Sequence, residues 1–351
     1  MSTPQPTPPI EFSATRNTPG WLLENNISLL VSTYETGLVF MIGIKPDGSM
    51  SYNSRAVARA MGLACAGSQT IWVGTQFQVW RLENSLQPGQ NYQGNDAYYV
   101  PRVAYTTGDV DIHDLGIMHN GRPAFVNTAY SCLATVDDTY SFRALWKPPF
   151  ITKMAAEDRC HLNGMAMVDG MPGFVTCVSR SDAAGGWRDF RGNGGLLIHV
   201  PSNEIVVSGL SMPHSPRWHN GKLYMHNSGT GEFGYVDLEK GKFEPIAFCP
   251  GYLRGLSFIN NYAVAGISMG RGQVFDGLKL QENLDTKGAM ARCAVEIIDL
   301  ERGDVLHEIR FTGGVRELFD TNGLPGVRTP GTVGYMSDEF LQRITLEPDA
   351  A

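Results

Sequence analysis

Little in this sequence speaks for helices, membranes or nucleic acid. Helical periodicity is nearly absent along the 351 residues. A parallel α/β fold is therefore a poor fit, because it needs a helix between successive strands. No apolar run approaches the ~20 residues that span a bilayer. Lys and Arg form no cluster, and the net charge is −7 with a pI of about 5.6, so no basic footprint for nucleic acid is present. The six cysteines, at 65, 132, 160, 177, 249 and 293, include no CxxC pair. Their spacing suggests core packing rather than a disulfide framework, and free buried thiols suit a reducing cytoplasm. The start, MSTPQPTPPIEF, lacks the positive and apolar regions of a secretory signal. Residues 1–12 read as a disordered proline-rich arm, and 13–351 as one domain.

What the chain does have is glycine, 40 residues of it, and many short apolar runs. Ser28–Ser32, Ile71–Val73, Ala124–Val126, Gly173–Cys177, Lys222–Met225 and Tyr262–Ala265 read as strands. Each follows a turn signal: Asn25-Asn26, Gly67-Ser68, Asn120-Gly121, Asp169-Gly170, Asn220-Gly221 and Asn260-Asn261. Asn-Gly and Asp-Gly supply the positive φ angles that two-residue hairpins require. The turns start 42, 53, 49, 51 and 40 residues apart, the length of a four-stranded propeller blade. Third strands follow in place at Phe77–Trp80, Leu133–Val136, Leu196–Val200, Phe233–Val236 and Val295–Ile298. Fourth strands follow at Ile205–Gly209 and Leu306–Arg310. Six turns predict an all-β, six-bladed β-propeller, with a β-sandwich as the alternative. Residues 179–195 interrupt one blade between its second and third strands. An extension begins at 311, and its run Gly334–Leu346 is the candidate to return to the first blade and close the ring.

A propeller gathers the residues that precede its innermost strands at one mouth of the central channel. Counting back six or seven residues from each turn reaches Gly20 or Trp21, Met61, His113 or Asp114, Asn163, His214 and Arg254, with His161 just before Asn163. Three histidines, His113, His161 and His214, thus fall at matching places in successive blades. Three imidazoles and an open position make a catalytic type of metal site, and the expected ion is divalent Fe, Cu or Zn. Alternatively each histidine only hydrogen-bonds its own loop. In the polar stretch Ala156–Gly164, Glu157 or Asp158 can orient His161 or act as general base, or can simply pair with Arg159. Arg254 and Arg217 suit an anion clamp. Cys160 reads as a packed thiol. In the glycine-rich insertion, Trp187 and Arg188 suit either a lid over the mouth or an ordinary surface loop.

These residues carry a resemblance. Phe125-Val126-Asn127-Thr128, Glu157–Gly164, Gly186-Trp187-Arg188, Met212–Arg217, Asn227–Glu232 and Leu324–Arg328 resemble an uncharacterised bacterial propeller family, a domain of unknown function, over nearly the whole chain. That family implies a fold and no activity. The chain is more distantly similar to the gluconolactonase and strictosidine-synthase-like six-bladed propellers. His161-Leu162-Asn163-Gly164 is similar to their Pro-Asn-Gly motif, which implies that Asn163 contacts the mouth. Met212-Pro213-His214-Ser215 falls where the lactonases place an aspartate metal ligand, and His113 falls near another of their ring positions. Histidine replaces that acid at 214, and no glutamate stands at the first-blade position, Gly20-Trp21. Both departures disfavour calcium, which wants oxygen ligands. The expectation is a metal-dependent enzyme acting on a small or peptide-like anionic substrate at the mouth. Its reaction would be hydrolytic, as in a lactonase, or oxidative. In that reading Glu157 or Asp158 is catalytic, and Arg254, Arg217, Asn163 and Trp187 bind substrate. The alternative is a non-catalytic propeller that presents its faces to protein partners. No nucleic-acid or membrane partner is expected, and oligomeric state is left open.

Overall fold

The computed structural model describes residues 8–270, 275–334 and 337–346. Its strands form six small sheets, antiparallel except where Pro330–Thr332 joins the outer edge of the second blade in parallel with Ala97–Thr106, arranged in a ring as a six-bladed β-propeller. The second strand is deeply buried in every blade, because neighbouring sheets cover both its faces. Ile27–Thr33 is buried at every residue, and Pro123–Asn127 likewise. A strand covered on both sides reads as a continuous apolar run rather than an alternating one, which is why these strands were the most visible in the sequence.

The inner hairpin turns sit where their chemistry put them. Asp169 and Gly170 have φ of 50° and 71°, and Asn220 and Gly221 have 48° and 77°, the left-handed pair that a hairpin following the sheet twist requires. Asn25-Asn26 differs. It follows a short helix, Thr18–Glu24, not a strand. Trp21 therefore belongs to a helix packed in the core between the first and last blades and is only 5% exposed; it is not at the mouth.

The first blade takes its innermost strand from the far end of the chain. Asp320–Pro325 pairs antiparallel with Ile27–Thr33, in register from Ile27 opposite Pro325 to Ser32 opposite Asp320. The ring is thus closed by 320–325, not by the run 334–346 that the sequence suggested. In that run Tyr335 and Met336 lie outside the described residues. The short helix Asp338–Gln342 lies against the second blade, where the Tyr98 hydroxyl donates to Glu339 and the Arg102 guanidinium donates to the Arg343 carbonyl. Closure is doubled at the other end. Glu11–Ala14 adds a fifth strand to the sixth blade by pairing with Val305–Thr312. Phe12, expected in a disordered arm, stacks on Tyr52 of the first blade (4.3 Å between centroids) and packs edge-on against Phe40 and Phe311.

Two insertions rise on the mouth side. One is the expected 179–195, which carries a 3₁₀ turn over Gly186–Phe190. The other interrupts the sixth blade between Tyr262–Ser268 and Cys293–Asp299, and its described part, 269–270 and 275–292, carries the helix Lys279–Lys287. Leu280 and Leu284, one helical turn apart, are its buried anchors. All six cysteines are free, five of them buried. Among the described residues, no helix is long and apolar enough to cross a membrane.

Candidate functional site

The inner strands of the ring begin at Ile112, Leu162, Pro213, Tyr252 and Asp320, and at Leu63 in the second blade. Side chains at and just before these starts converge on the channel mouth. There a cavity of about 540 Å³ is lined by His113, Asp158, His161, Trp187, Arg254 and Glu317, with Tyr34, Met212 and Phe275 among its apolar walls. The chain reaches this rim through costly backbone. Asp111, Asp158, His161 and Met212 all have positive φ, between 42° and 54°. Such conformations in residues other than glycine persist where the surroundings enforce them, and they gather at functional sites.

His161 is the most closely held of the mouth side chains. Its Nδ1 lies 3.0 Å from Asp158 Oδ2, and its ring stacks on Trp187 at 4.1 Å and 24°. The Trp187 indole donates to the same carboxylate oxygen at 2.7 Å. Burial pushes the Asp158 carboxyl up, but the bond from His161, the nearby imidazoles and the bond from Trp187 outweigh it, and the net shift is downward. Asp158 is therefore an anion that only accepts, so Nδ1 of His161 carries the proton and Nε2 is left for the cavity.

His113 and His214 follow the same logic with backbone acceptors. Nδ1 of His113 faces the Asp111 carbonyl at 3.2 Å, and Nδ1 of His214 faces the Met212 carbonyl at 2.9 Å. A carbonyl can only accept, so in both rings Nε2 again holds the lone pair. Burial pushes His113 down to about 4, against the opposing charge of Asp111 and with help from His161 and Arg254. Burial, reinforced by Arg254, pushes His214 well down. Both are neutral at pH 7. The rings of His113 and His161 stand edge to face at 4.9 Å. His214 is turned toward Tyr252 (5.4 Å), 3% exposed, with Nε2 buried and unpartnered. Among the described residues, no three His, Cys, Asp or Glu side chains stand so as to hold a metal ion. Each ring is instead aimed by its own Nδ1 partner and its own aromatic neighbour.

The other expected residues divide. Arg254 is at the mouth but already paired: its Nη1 lies 3.0 Å from Glu317, and its guanidinium lies over the rings of Phe319 and Tyr252. The sequence reading missed Glu317 because it expected ring closure further along the chain. Once Asp320–Pro325 is taken as an inner strand, Glu317 stands at the place of the other mouth residues. Asn163 is buried beside the mouth. Its amide donates to the Pro213 carbonyl at 2.9 Å, and its Oδ1 is unpartnered. Glu157 does not face the cavity; it pairs with Arg159 at 2.7 Å and Lys153 at 3.7 Å.

Arg217 is also not at the mouth. It lies deeper on the axis and plugs the channel. Its two terminal nitrogens grip Asp114 at 2.7 and 2.9 Å, and Nη2 approaches Asp320 at 3.6 Å. It also donates to the carbonyls of Met165 and Leu256. Asp320 in turn accepts from the Leu63 amide at 2.8 Å. One guanidinium and two carboxylates thereby tie together the inner strands of all six blades. Close packing allows it: a Cβ on Gly255 (φ 77°) would stand 2.6 Å from Asp320 Cα. Arg217 faces two acids, and its fork belongs to Asp114, so Asp320 is the unmatched charge. Burial and the neighbouring Asp114 push it up to about 7 in spite of Arg217.

Solved structures share this fold at low sequence identity. A chain of a nidogen/laminin complex matches with a TM-score of 0.52 and 11% identity, over 86% of this chain and 99% of that one. A Bacteroides caccae protein of unknown function matches with a TM-score of 0.50 and 10% identity, over 85% and 98%. A virginiamycin B lyase from Staphylococcus aureus matches with a TM-score of 0.40 and 11% identity, over 86% and 99%. Such identities show the fold alone, and a propeller fold does not decide between enzyme and binding protein. No curated protein matches the sequence. The family profile of a domain of unknown function, DUF4915, matches residues 16–333, and the chain belongs to that family.

Proposed function

We propose that the mouth is the active site of an enzyme that moves a proton on a small, anionic molecule, with His161 as the proton carrier and Asp158 as the group that orients it. The observation that carries this reading is the Trp187–Asp158–His161 arrangement on the cavity wall: one carboxylate accepts from both the indole and the imidazole. A carboxylate behind Nδ1 fixes the tautomer and stabilises the imidazolium that forms when Nε2 takes a proton. His113, neutral and 4.9 Å away, supplies a second nitrogen. A substrate group held against His161 loses its proton to Nε2, and the imidazolium so formed returns that proton to another atom of the same molecule, while the lone pair of His113 Nε2 accepts a hydrogen bond that orients it. With water as the deprotonated group the reaction is a hydrolysis. The experiment is a screen of small carboxylates, phosphates and lactones in D₂O followed by NMR. Wild type transforms one class or exchanges a proton on it, and His161→Gln does not. If a compound binds but is never changed, the mouth is a recognition site and the non-catalytic alternative takes over.

A second reading keeps the expected transition metal, with His113, His161 and His214 as ligands and oxidative chemistry within reach. One observation favours it: all three Nδ1 atoms face fixed acceptors, so all three free nitrogens are Nε2, as in sites whose outer partners orient the ligands. It requires the rings to turn toward a common point as the ion binds. Protein purified without chelator then holds close to one equivalent of Fe, Cu or Zn, lost in His214→Ala. Metal-free protein that takes up none of these ions sinks this reading alone.

A further inference from the structure

We propose that Arg188 and Arg191, at the lip of the mouth, form a subsite for a terminal oxyanion group of charge near −2, such as a phosphate monoester or a pair of carboxylates. This deepens the reading of the mouth as a reaction site and rests on it.

The argument begins with the turn that carries them. Gly186–Phe190 is a 3₁₀ helix, and Arg191 continues in helical conformation at φ −55° and ψ −32°. A 3₁₀ helix has three residues per turn, so side chains at i and i+3 eclipse. Arg188 and Arg191 therefore lie on one side, and both line the cavity. Arg188 lies over the Trp187 ring at 4.7 Å and donates to the Gly185 carbonyl at 3.0 Å. Gly185 has φ of 57°, and a Cβ there would stand 2.2 Å from Arg188 Nη1. Glycine is what lets the guanidinium rest in that place.

Charge accounting separates these two cations from the third. Asp158 is taken by His161 and Trp187, Asp111 faces His113 at 3.6 Å, and Glu317 pairs with Arg254. The deep cation is thus already compensated. Arg188 and Arg191 have no ion-pair partner among the described residues. Two uncompensated planar forks on one face match the geometry of a phosphate or of paired carboxylates. Asp276 lines the same cavity and stands beside Gly277, whose Cβ position is 3.7 Å from Arg191 Nη2, so the lip sets two unpaired cations against one carboxylate and the balance there favours an anion.

The insertion is also fixed before any ligand arrives. Trp187 is tied to Asp158, and the Gly185 amide donates to the Glu157 carbonyl at 2.8 Å. Asp182 accepts from Arg159 at 2.7 Å and from the Thr152 hydroxyl at 2.6 Å, and the Ser211 hydroxyl donates to the Arg191 carbonyl at 3.0 Å. A clamp held in this way loses little freedom on binding. It also gives the Glu157–Arg159 pair its place, as part of the scaffold that holds the insertion.

The test is calorimetric titration of the full chain with inorganic phosphate and, separately, malonate, at low ionic strength. Wild type binds at least one of them, and the tighter probe tells phosphate from dicarboxylate. Arg188→Met and Arg191→Met each weaken that binding about 10-fold, and the double variant about 100-fold. His161→Gln binds the same probe as wild type does. If the double variant binds as tightly as wild type, if wild type binds neither probe, or if Arg254→Met alone abolishes binding, the subsite is wrong. The two proposals fail separately. Loss of binding in the double variant together with full turnover in His161→Gln overturns the catalytic reading and leaves the subsite standing.

Discussion

The mouth and the plug are built from the same kinds of residue and lie a single residue apart along two of the inner segments. His113 faces the mouth, and Asp114 next to it faces the plug. Phe319 borders the mouth, and Asp320 belongs to the plug. The difference lies in how far hydrogen bonding is completed. In the plug, Asp114 accepts from the amides of Leu115 and Met165 and both terminal nitrogens of Arg217. Asp320 accepts from the amides of Leu63 and Thr321. At the mouth, Nε2 of His214, Oδ1 of Asp111 and Nε of Arg254 are buried without partners. Buried polar groups in native proteins are nearly always satisfied; other unpartnered atoms, such as those of Ser28, Thr176 and His226, are scattered through the blades, whereas these three gather around one cavity. A satisfied network holds the ring together, and an unsatisfied one is open to a ligand.

The comparison breaks most sharply at Arg217. Arg217→Met leaves Asp114 and Asp320 facing each other on the axis, and removing one partner of a buried pair costs about 3–5 kcal/mol. Denaturant unfolding reads the loss. The triple variant with Asp114→Asn and Asp320→Asn recovers part of it, because no charge is then left unpaired. If Arg217→Met melts as wild type does, the plug is not what closes the ring. At the mouth the same kind of change acts on chemistry instead. His161→Gln lowers turnover by about 10²–10⁴, with the unfolding midpoint nearly unchanged, and Asp158→Asn lowers it in the same direction by removing the acceptor that fixes the tautomer.

A third test uses pH. The folded-state pKa of Asp320 is raised from an ordinary 3.8 to about 7, so in this window the folded chain binds more protons at this site than the unfolded chain does. Its contribution to stability is present below about pH 4 and is lost as pH rises toward 7. Asp320→Asn keeps the Arg217–Asp114 pair and removes that slope. Unfolding measured at pH 5 and pH 8 for both proteins isolates it, and equal slopes in the two contradict the assignment of Asp320 as the unmatched charge. The smallest effect belongs to Glu157. Its carboxylate pairs with Arg159 away from the cavity, and Glu157→Gln leaves turnover at the wild-type rate. A loss as large as that of Asp158→Asn would exchange the roles of these two neighbours.

Much of this contrast was readable in the sequence, and its limits are physical. The blade repeat was visible because second strands are buried on both faces and hairpin turns demand Asn-Gly or Asp-Gly. The mouth position of His113, His161 and Arg254 followed from counting back from those turns. The count reached Arg254, six residues before its turn, and passed over Arg217, three before its own, yet both suited an anion clamp by residue type. Both precede inner hairpin turns, and only the depth along the channel, set by the register of neighbouring strands, sends one to the plug and the other to the mouth. Ring closure was misplaced because a closing strand pairs with a partner almost three hundred residues away, as Ile27 with Pro325 does, and leaves no local hairpin signal. Glu317 was lost with it. The second insertion carried a faint sign in Leu280 and Leu284, but two apolar positions one turn apart are too few to declare a helix.

The central claim is that the mouth, where Asp158 aims His161 into the cavity, is a reaction site and that the Arg217 plug is scaffold. Its most direct test is NMR observation of small anionic compounds in D₂O with wild type and His161→Gln at equal concentration. The account predicts that one class is transformed or picks up deuterium with wild type only, while the variant keeps its fold and its phosphate affinity. Equal rates in the two proteins would contradict it.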